Sequence, residues 1–159
     1  MIHTPLDINQ TIVPWLARTA KLMSLFISDA LVKGQFDLTR VQWVLLKLLH
    51  DQDGQTQNEL ALITDRNKAS LTRLIHTMER KELVKRIAHQ QDKRFNRIFL
   101  TEKGRQRYQE TLPVFYECLD QLQAGINMQE IEELLRLLKK IQHNITDCPV
   151  KDTKNKLVC

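Results

Sequence analysis

Glycine and proline are scarce in this 159-residue chain, four of each, too few for a turn-rich all-β sandwich or barrel. Cysteine is scarcer still. Cys118, Cys148 and Cys159 are odd in number and far apart, which argues against a disulfide framework. No apolar run approaches the roughly 18 residues of a membrane span. Met1 to Gln10 shows no basic stretch followed by an apolar one, so no secretory signal is expected. A Gly-rich phosphate loop, a nucleophile elbow and a paired His–carboxylate motif are all missing, which points away from an enzyme. His50, His76, His89 and His143 have no metal-ligand spacing with one another or with cysteine, so neither a metal nor another cofactor is expected. Hydrophobic residues make up 42% of the chain, enough for a real core. These features describe a mostly α, cytoplasmic protein.

Charge is abundant but uneven. Residues 66–107 hold 13 Lys or Arg against 4 Asp or Glu, a local net of +9, while the chain as a whole carries +5. A basic centre between mildly acidic flanks is a localised field that suits a polyanionic partner. A solvated surface with no partner would look the same by charge alone, so the scaffold beneath the charge decides.

That scaffold begins with helices. Ile12, Leu16, Met23, Ile27 and Leu31 recur at helical spacing, and Pro14 is tolerable only in the first turn, so this helix starts near Thr11. Gly34 is its expected stop. A second helix over about Leu38–His50 is apolar almost all round, which marks it as buried. Asp37 or Thr39 would cap it, and Asp53-Gly54 turns the chain. Thr56 and Glu59 form a capping box ahead of a short helix. After the polar break 64–67, a helix of about Lys68–Lys81 turns Leu71, Leu74, Ile75 and Met78 inward and Lys68, Ser70, Thr72, Arg73, His76 and Thr77 outward. Alternating residues 83–89, a polar stretch 90–96 and the returning strand 97–101 read as a β-hairpin with a long basic loop. Thr101 caps a long helix towards Gln123, with Gly104 in its first turn and a bend expected at Pro113. Asn127 and Glu130 form another capping box. The last helix carries the stripe Ile131, Leu134, Leu135, Leu138, Ile141 and Ile145, with Pro149 as its stop.

Short helix, turn, polar-faced helix and basic-tipped hairpin make a winged helix-turn-helix, so the fold class is mostly α with a small β element (α+β). A helix about 10–12 Å across fits the DNA major groove, where base pairs show distinguishable donors and acceptors. Lys68, Arg73 and the helix amides can hold phosphates; Ser70, Thr72, Arg73 and His76 can reach base edges. Lys93 and Arg94 at the hairpin tip suit the minor groove, whose negative potential attracts Arg.

Gln57-x-Glu59-Leu60-Ala61, Ser70-Leu71-Thr72-Arg73-Leu74-Ile75, Leu83-Val84-Lys85-Arg86, Asp92-Lys93-Arg94 and Leu100-Thr101-Glu102-Lys103-Gly104 together resemble the MarR family of bacterial transcription regulators. The resemblance is most specific from Gln57 to Gly104. It implies a ligand-responsive repressor that acts as a homodimer on double-stranded DNA at a pseudo-palindromic operator. It also implies an N-terminal dimerisation helix (1–36), a winged DNA-binding domain (37–101), C-terminal dimerisation helices (102–148) and a flexible tail (149–159). By the same resemblance, Arg94 enters the minor groove and Asp92 orients it. A small aromatic anion is the implied effector. Met23, Phe26 and Trp43, on helices bordering the crevice between dimer helices and DNA-binding module, would line its pocket, or are simply core.

One position departs from the family pattern. Where the family has Gly after the recognition helix, this chain has Glu82 in Arg80-Lys81-Glu82-Leu83. Either Glu82 takes a left-handed conformation, at a cost of roughly 1 kcal/mol, or the helix ends differently. Lys103, Arg105 and Arg107 are open between a solvated face and a phosphate contact. The alternatives to a ligand-responsive regulator are a redox-responsive one using a Cys and a winged-helix protein-interaction module. Cys118 itself is expected to be packing.

Overall fold

The computed structural model describes residues 7–64, 66–88 and 96–147. The sequence-predicted Asp92, Lys93 and Arg94 lie outside the described residues, as do Pro149 and the tail. A 3-10 turn (Ile8–Gln10) leads into α1 (Ile12–Lys33), followed by α2 (Arg40–Asp51), β1 (Gln55–Thr56), α3 (Gln57–Ile63) and α4 (Lys68–Arg80). Then come β2 (Val84–Ala88), β3 (Asn96–Leu100), α5 (Glu102–Leu122) and α6 (Met128–Thr146). Among the described residues, no helix is long and apolar enough to cross a membrane.

Local sequence explains most boundaries. Thr39 and Gln42 satisfy each other's free amides at the start of α2, as Thr56 and Glu59 do for α3 and Asn127 and Glu130 for α6. Asp37 is therefore not the cap of α2; its carboxylate meets Lys81 Nζ at 2.8 Å instead. α1 ends at Gly34, but the left-handed step falls on the next residue, Gln35 (φ 56°). Glycine is needed at 34 for space, since a Cβ there would stand 2.5 Å from the Phe36 ring.

The sheet has one strand more than the hairpin expected from the sequence. β1 pairs antiparallel with β3, giving the order β1-β3-β2 with Gln55 opposite Ile98 and Ile98 opposite Arg86. Two residues show no periodicity to read. What places them is the preceding turn, where Asp53 Oδ1 accepts hydrogen bonds from Gly54 N (3.1 Å) and Leu100 N (2.9 Å).

Leu45, Leu46, Leu49, Leu60, Leu71, Ile75, Met78 and Ile98 are fully or almost fully buried where α2, α3, α4 and the sheet meet. Each such side chain contributes about 1.5–3 kcal/mol by leaving water. Trp43 joins α5 to this core: its Nε1 donates to Thr111 Oγ1 at 2.9 Å and its ring stacks on Phe115 at 3.9 Å. α5 is one uninterrupted helix through Pro113. Its first turn lies against the root of the wing so closely that a Cβ on Gly104 would stand 2.0 Å from the Leu83 carbonyl oxygen. α6 differs from the rest, because none of its residues is buried.

Glu82 does take the left-handed conformation (φ 60°), and Leu83 N closes the end of α4 on Met78 O at 2.9 Å. Its backbone oxygen accepts from Thr101 Oγ1 (2.5 Å), and its carboxylate accepts from Lys103 Nζ (2.7 Å), which holds that carboxyl below its ordinary pKa. Both ends of that ion pair are exposed, so it adds little. The relief of left-handed strain exceeds the unfolded-state entropy that a glycine adds. Glu82→Gly is therefore expected to raise Tm by about 2 °C. An unchanged or lowered Tm in a thermal melt would show that the side-chain contacts outweigh the strain.

Candidate nucleic-acid interface

The outward face of α4 is built from its N-terminus. Asn67 caps the helix by accepting from Ser70 N at 2.8 Å, leaving the remaining first-turn amides and the positive helix end open to an anion. Leu71, Ile75 and Met78 face the core, while Lys68, Thr72, Arg73, His76, Thr77 and Arg80 are exposed. Thr72 and Thr77 donate their hydroxyl protons to the carbonyls of Lys68 (2.8 Å) and Arg73 (3.0 Å). Their oxygens then face outward as acceptors, beside methyl groups that can meet a thymine methyl. Ser70 is half-buried and its Oγ accepts from Arg66 Nη1 at 2.9 Å.

Arg66 and Asn67 thus join this surface beside the residues expected from the sequence. Asn ahead of a helix is a readable cap signal. The return of Arg66 onto Ser70 is not readable, because it depends on how the α3–α4 turn folds.

The structure also sorts the basic residues. Lys81 pairs with Asp37, Arg86 with Glu79, Lys103 with Glu82, Arg105 with Asp53 and Arg107 with Glu110. The first four pairs join separate segments of the fold, whereas Arg107 and Glu110 both stand on α5. Lys103, Arg105 and Arg107, left open by the sequence, belong to this group. Within the basic segment, Arg66, Lys68, Arg73, Arg80, Lys85 and Arg97 make no ion pair with a described residue. Three of these six stand on α4, and Arg66 lies just ahead of it, on the side of its N-terminus.

The expected pocket residues do not converge. Trp43 is a core residue, committed to Thr111 and Phe115. Met23 is exposed on α1. Phe26 alone lines an open groove of about 350 Å³ between α1 and α5, together with Asp29, Lys33, Glu117 and Cys118. Asp29 and Lys33 face each other at 2.7 Å. Cys118 is buried, and burial pushes its thiol pKa up, which disfavours the thiolate an oxidant sensor needs.

A three-stranded sheet and a polar-faced helix packed after a short one define a winged helix-turn-helix. Residues 38–95 match the model of the MarR family. The S. aureus MepR–DNA complex superposes with a TM-score of 0.76 at 28% identity, over 84% of this chain and 98% of that one. S. aureus MepR in its DNA-binding conformation gives 0.73 at 28% identity, over 85% and 98%. A mutant MarR from E. coli complexed with operator DNA gives 0.75 at 22% identity, over 82% and 92%, a likeness of fold.

Proposed function

We propose that this protein is a sequence-specific, double-stranded-DNA-binding transcriptional regulator rather than an enzyme. The observation that carries the reading is the unneutralised cationic, polar face of α4 on a winged helix similar to that of S. aureus MepR, which is seen bound to DNA. On this reading α4 enters the major groove, with Arg73 on a guanine edge or a phosphate and Thr72 and His76 beside it. The charged face disfavours the alternative of a protein-interaction module, which would present an apolar one. The raised thiol pKa of Cys118 disfavours a redox switch at that residue.

The finer reading is a homodimer on a pseudo-palindromic operator, acting as a ligand-responsive repressor in the cytoplasm. Support for the dimer comes from exposed Ile12, Val13, Trp15, Leu134 and Leu135 on the two terminal helices. The effector, a small aromatic anion, rests on the family resemblance, with the groove beside Phe26 as its candidate place.

The test is duplex binding across a range of salt. Affinity should fall steeply as salt rises, because each neutralised phosphate releases counterions. Arg73→Ala should weaken binding by about 1–3 kcal/mol per half-site. A uniform loss across sequences with a shallower salt slope would mark a phosphate contact, and relaxed specificity at one base pair a base contact. Duplex binding that ignores both salt and Arg73→Ala would overturn the proposal.

A further inference from the structure

The recognition helix and the wing leave Glu82 in different directions, and one left-handed residue is a narrow pivot between them. We propose that Arg86 is the positioning residue that fixes the angle between α4 and the wing, and so sets both for simultaneous contact with DNA. The proposal rests on the DNA-binding reading above.

Arg86 is the middle residue of β2 and stands opposite fully buried Ile98 on β3. Directly paired residues of an antiparallel ladder share a face, so Arg86 projects over the side of the sheet that meets the core. There its Nη2 lies 3.4 Å from the Thr72 carbonyl oxygen and 3.3 Å from Glu79 Oε2. Thr72 and Glu79 are two helical turns apart, about 10 Å along the axis. They still reach one nitrogen, because a helix carbonyl points towards the C-terminus while a side chain leans back towards the N-terminus. Both contacts meet at that one nitrogen, so it is a single fixed point, and with Glu82 as the other it sets the direction of α4 relative to the strand. The buried Leu71, Ile75 and Met78 seat the helix on the core, and the Arg86 contact sets its tilt on that seat.

The pair is partly withdrawn from water, with the Arg86 and Glu79 side chains 26% and 27% exposed. The Arg86 Nε is buried and has no hydrogen-bond partner among the described residues. Loss of Glu79 would therefore leave a half-desolvated cation without its counter-charge, and the guanidinium would move outward to find water. The held residue matters too. Thr72 gives its carbonyl to Arg86 and turns its exposed side chain to the reading face, next to Arg73. A tilt at this point displaces the residues that would touch bases.

Two other roles for Arg86 predict different numbers. A direct phosphate contact would make Glu79→Gln bind DNA more tightly, since a carboxylate near the backbone is removed, and Arg86→Gln would lower the salt slope by about one per protomer. A purely fold-stabilising pair would weaken every duplex in proportion to the unfolded fraction.

The experiment measures Kd for two duplexes of equal length at fixed salt. One is selected from a random-sequence pool by the wild-type protein, and the other is an unselected random sequence. Glu79→Gln should raise Kd for the selected duplex about tenfold, leave Kd for the random duplex unchanged and leave the salt slope unchanged. Arg86→Lys should recover part of the binding lost in Arg86→Gln, because an ammonium keeps the charge but not the fork. The double variant Glu79→Gln/Arg86→Gln should bind about as well as the worse single variant. Tighter binding by Glu79→Gln, or equal losses on both duplexes, would overturn the positioning role. Wild-type protein that selects no duplex would overturn the DNA-binding reading itself, and the positioning role with it.

Discussion

Replacing Leu134 and Leu135 with Asp is expected to halve the mass of the particle in sedimentation. α6 has the sequence of a buried helix, with apolar residues at Ile131, Leu134, Leu135, Leu138, Ile141 and Ile145, yet buries none of them within its own chain. Leu134 and Leu135 are 51% and 49% exposed. α1 adds Ile12, Val13, Trp15 and Leu22 to the exposed apolar surface. Apolar side chains left exposed along a helix face suit an interface. In the proposed dimer, two leucines per protomer make four, and burying the exposed half of each gives about 0.8–1.5 kcal/mol apiece. The total, about 3–6 kcal/mol, is a large part of the free energy of a micromolar dimer, about 8 kcal/mol. Four buried carboxylates in their place would reverse the sign. The variant should stay folded, because α6 lies outside the core cluster of α2, α3, α4 and the sheet. It should also lose much of its DNA affinity, since two half-sites read by separate monomers give up the gain of linkage, commonly 10²–10⁴-fold. A variant that sediments at wild-type mass would show that the leucine pair is not the dimer contact.

What could be read from the sequence was what local physics decides. The capping boxes Thr56/Glu59 and Asn127/Glu130 close as expected, and the periodicity of α4 separates buried Leu71, Ile75 and Met78 from exposed Thr72, Arg73 and His76. The unusual Glu82 could be flagged, because a departure from glycine poses a choice that φ answers. What could not be read depends on residues far apart in the chain. Trp43 is open between ligand pocket and core in the sequence, and Thr111 and Phe115, both on α5, decide for the core. β1 is too short to carry a pattern and exists because Asp53 pins its turn to β3 and to Arg105 (2.5 Å). Charge counting places a basic centre, but only the fold separates Lys103 and Arg105, which fasten α5 to neighbouring segments, and Arg107, which is paired within α5, from Lys68, Arg73 and Arg80, which make no ion pair with a described residue. The same holds for Arg86: its sequence neighbours make it one more surface cation, and its contact with Glu79 makes it a hinge pin.

The wing should show its effect in DNA binding rather than in folding. Arg94 and Asp92 lie outside the described residues, so the expectation stands on their sequence and on the family resemblance. The core closes at the root of the hairpin on Val84 and Leu100, while Ala88, at the far end of the ladder, is exposed. Substitution beyond that end should leave the free energy of unfolding within about 0.5 kcal/mol of wild type. A guanidinium in the minor groove meets a concentrated negative potential, and a neighbouring carboxylate that holds its planar fork lowers the entropy lost on insertion. Arg94→Ala is therefore expected to weaken binding to a selected duplex by about 1–3 kcal/mol per half-site. Arg94→Lys should restore only part of this, since it keeps the charge without the fork. Asp92→Ala separates the mechanism from simple charge. Removing an acid next to DNA should otherwise strengthen binding, by reduced repulsion. If Asp92 orients Arg94, the same substitution weakens binding, as a milder form of Arg94→Ala. The deciding measurement is the Kd of Asp92→Ala for the selected duplex at fixed salt. A value below that of the wild type would mean that Asp92 acts only as a repelling charge and that Arg94 enters the groove without its help.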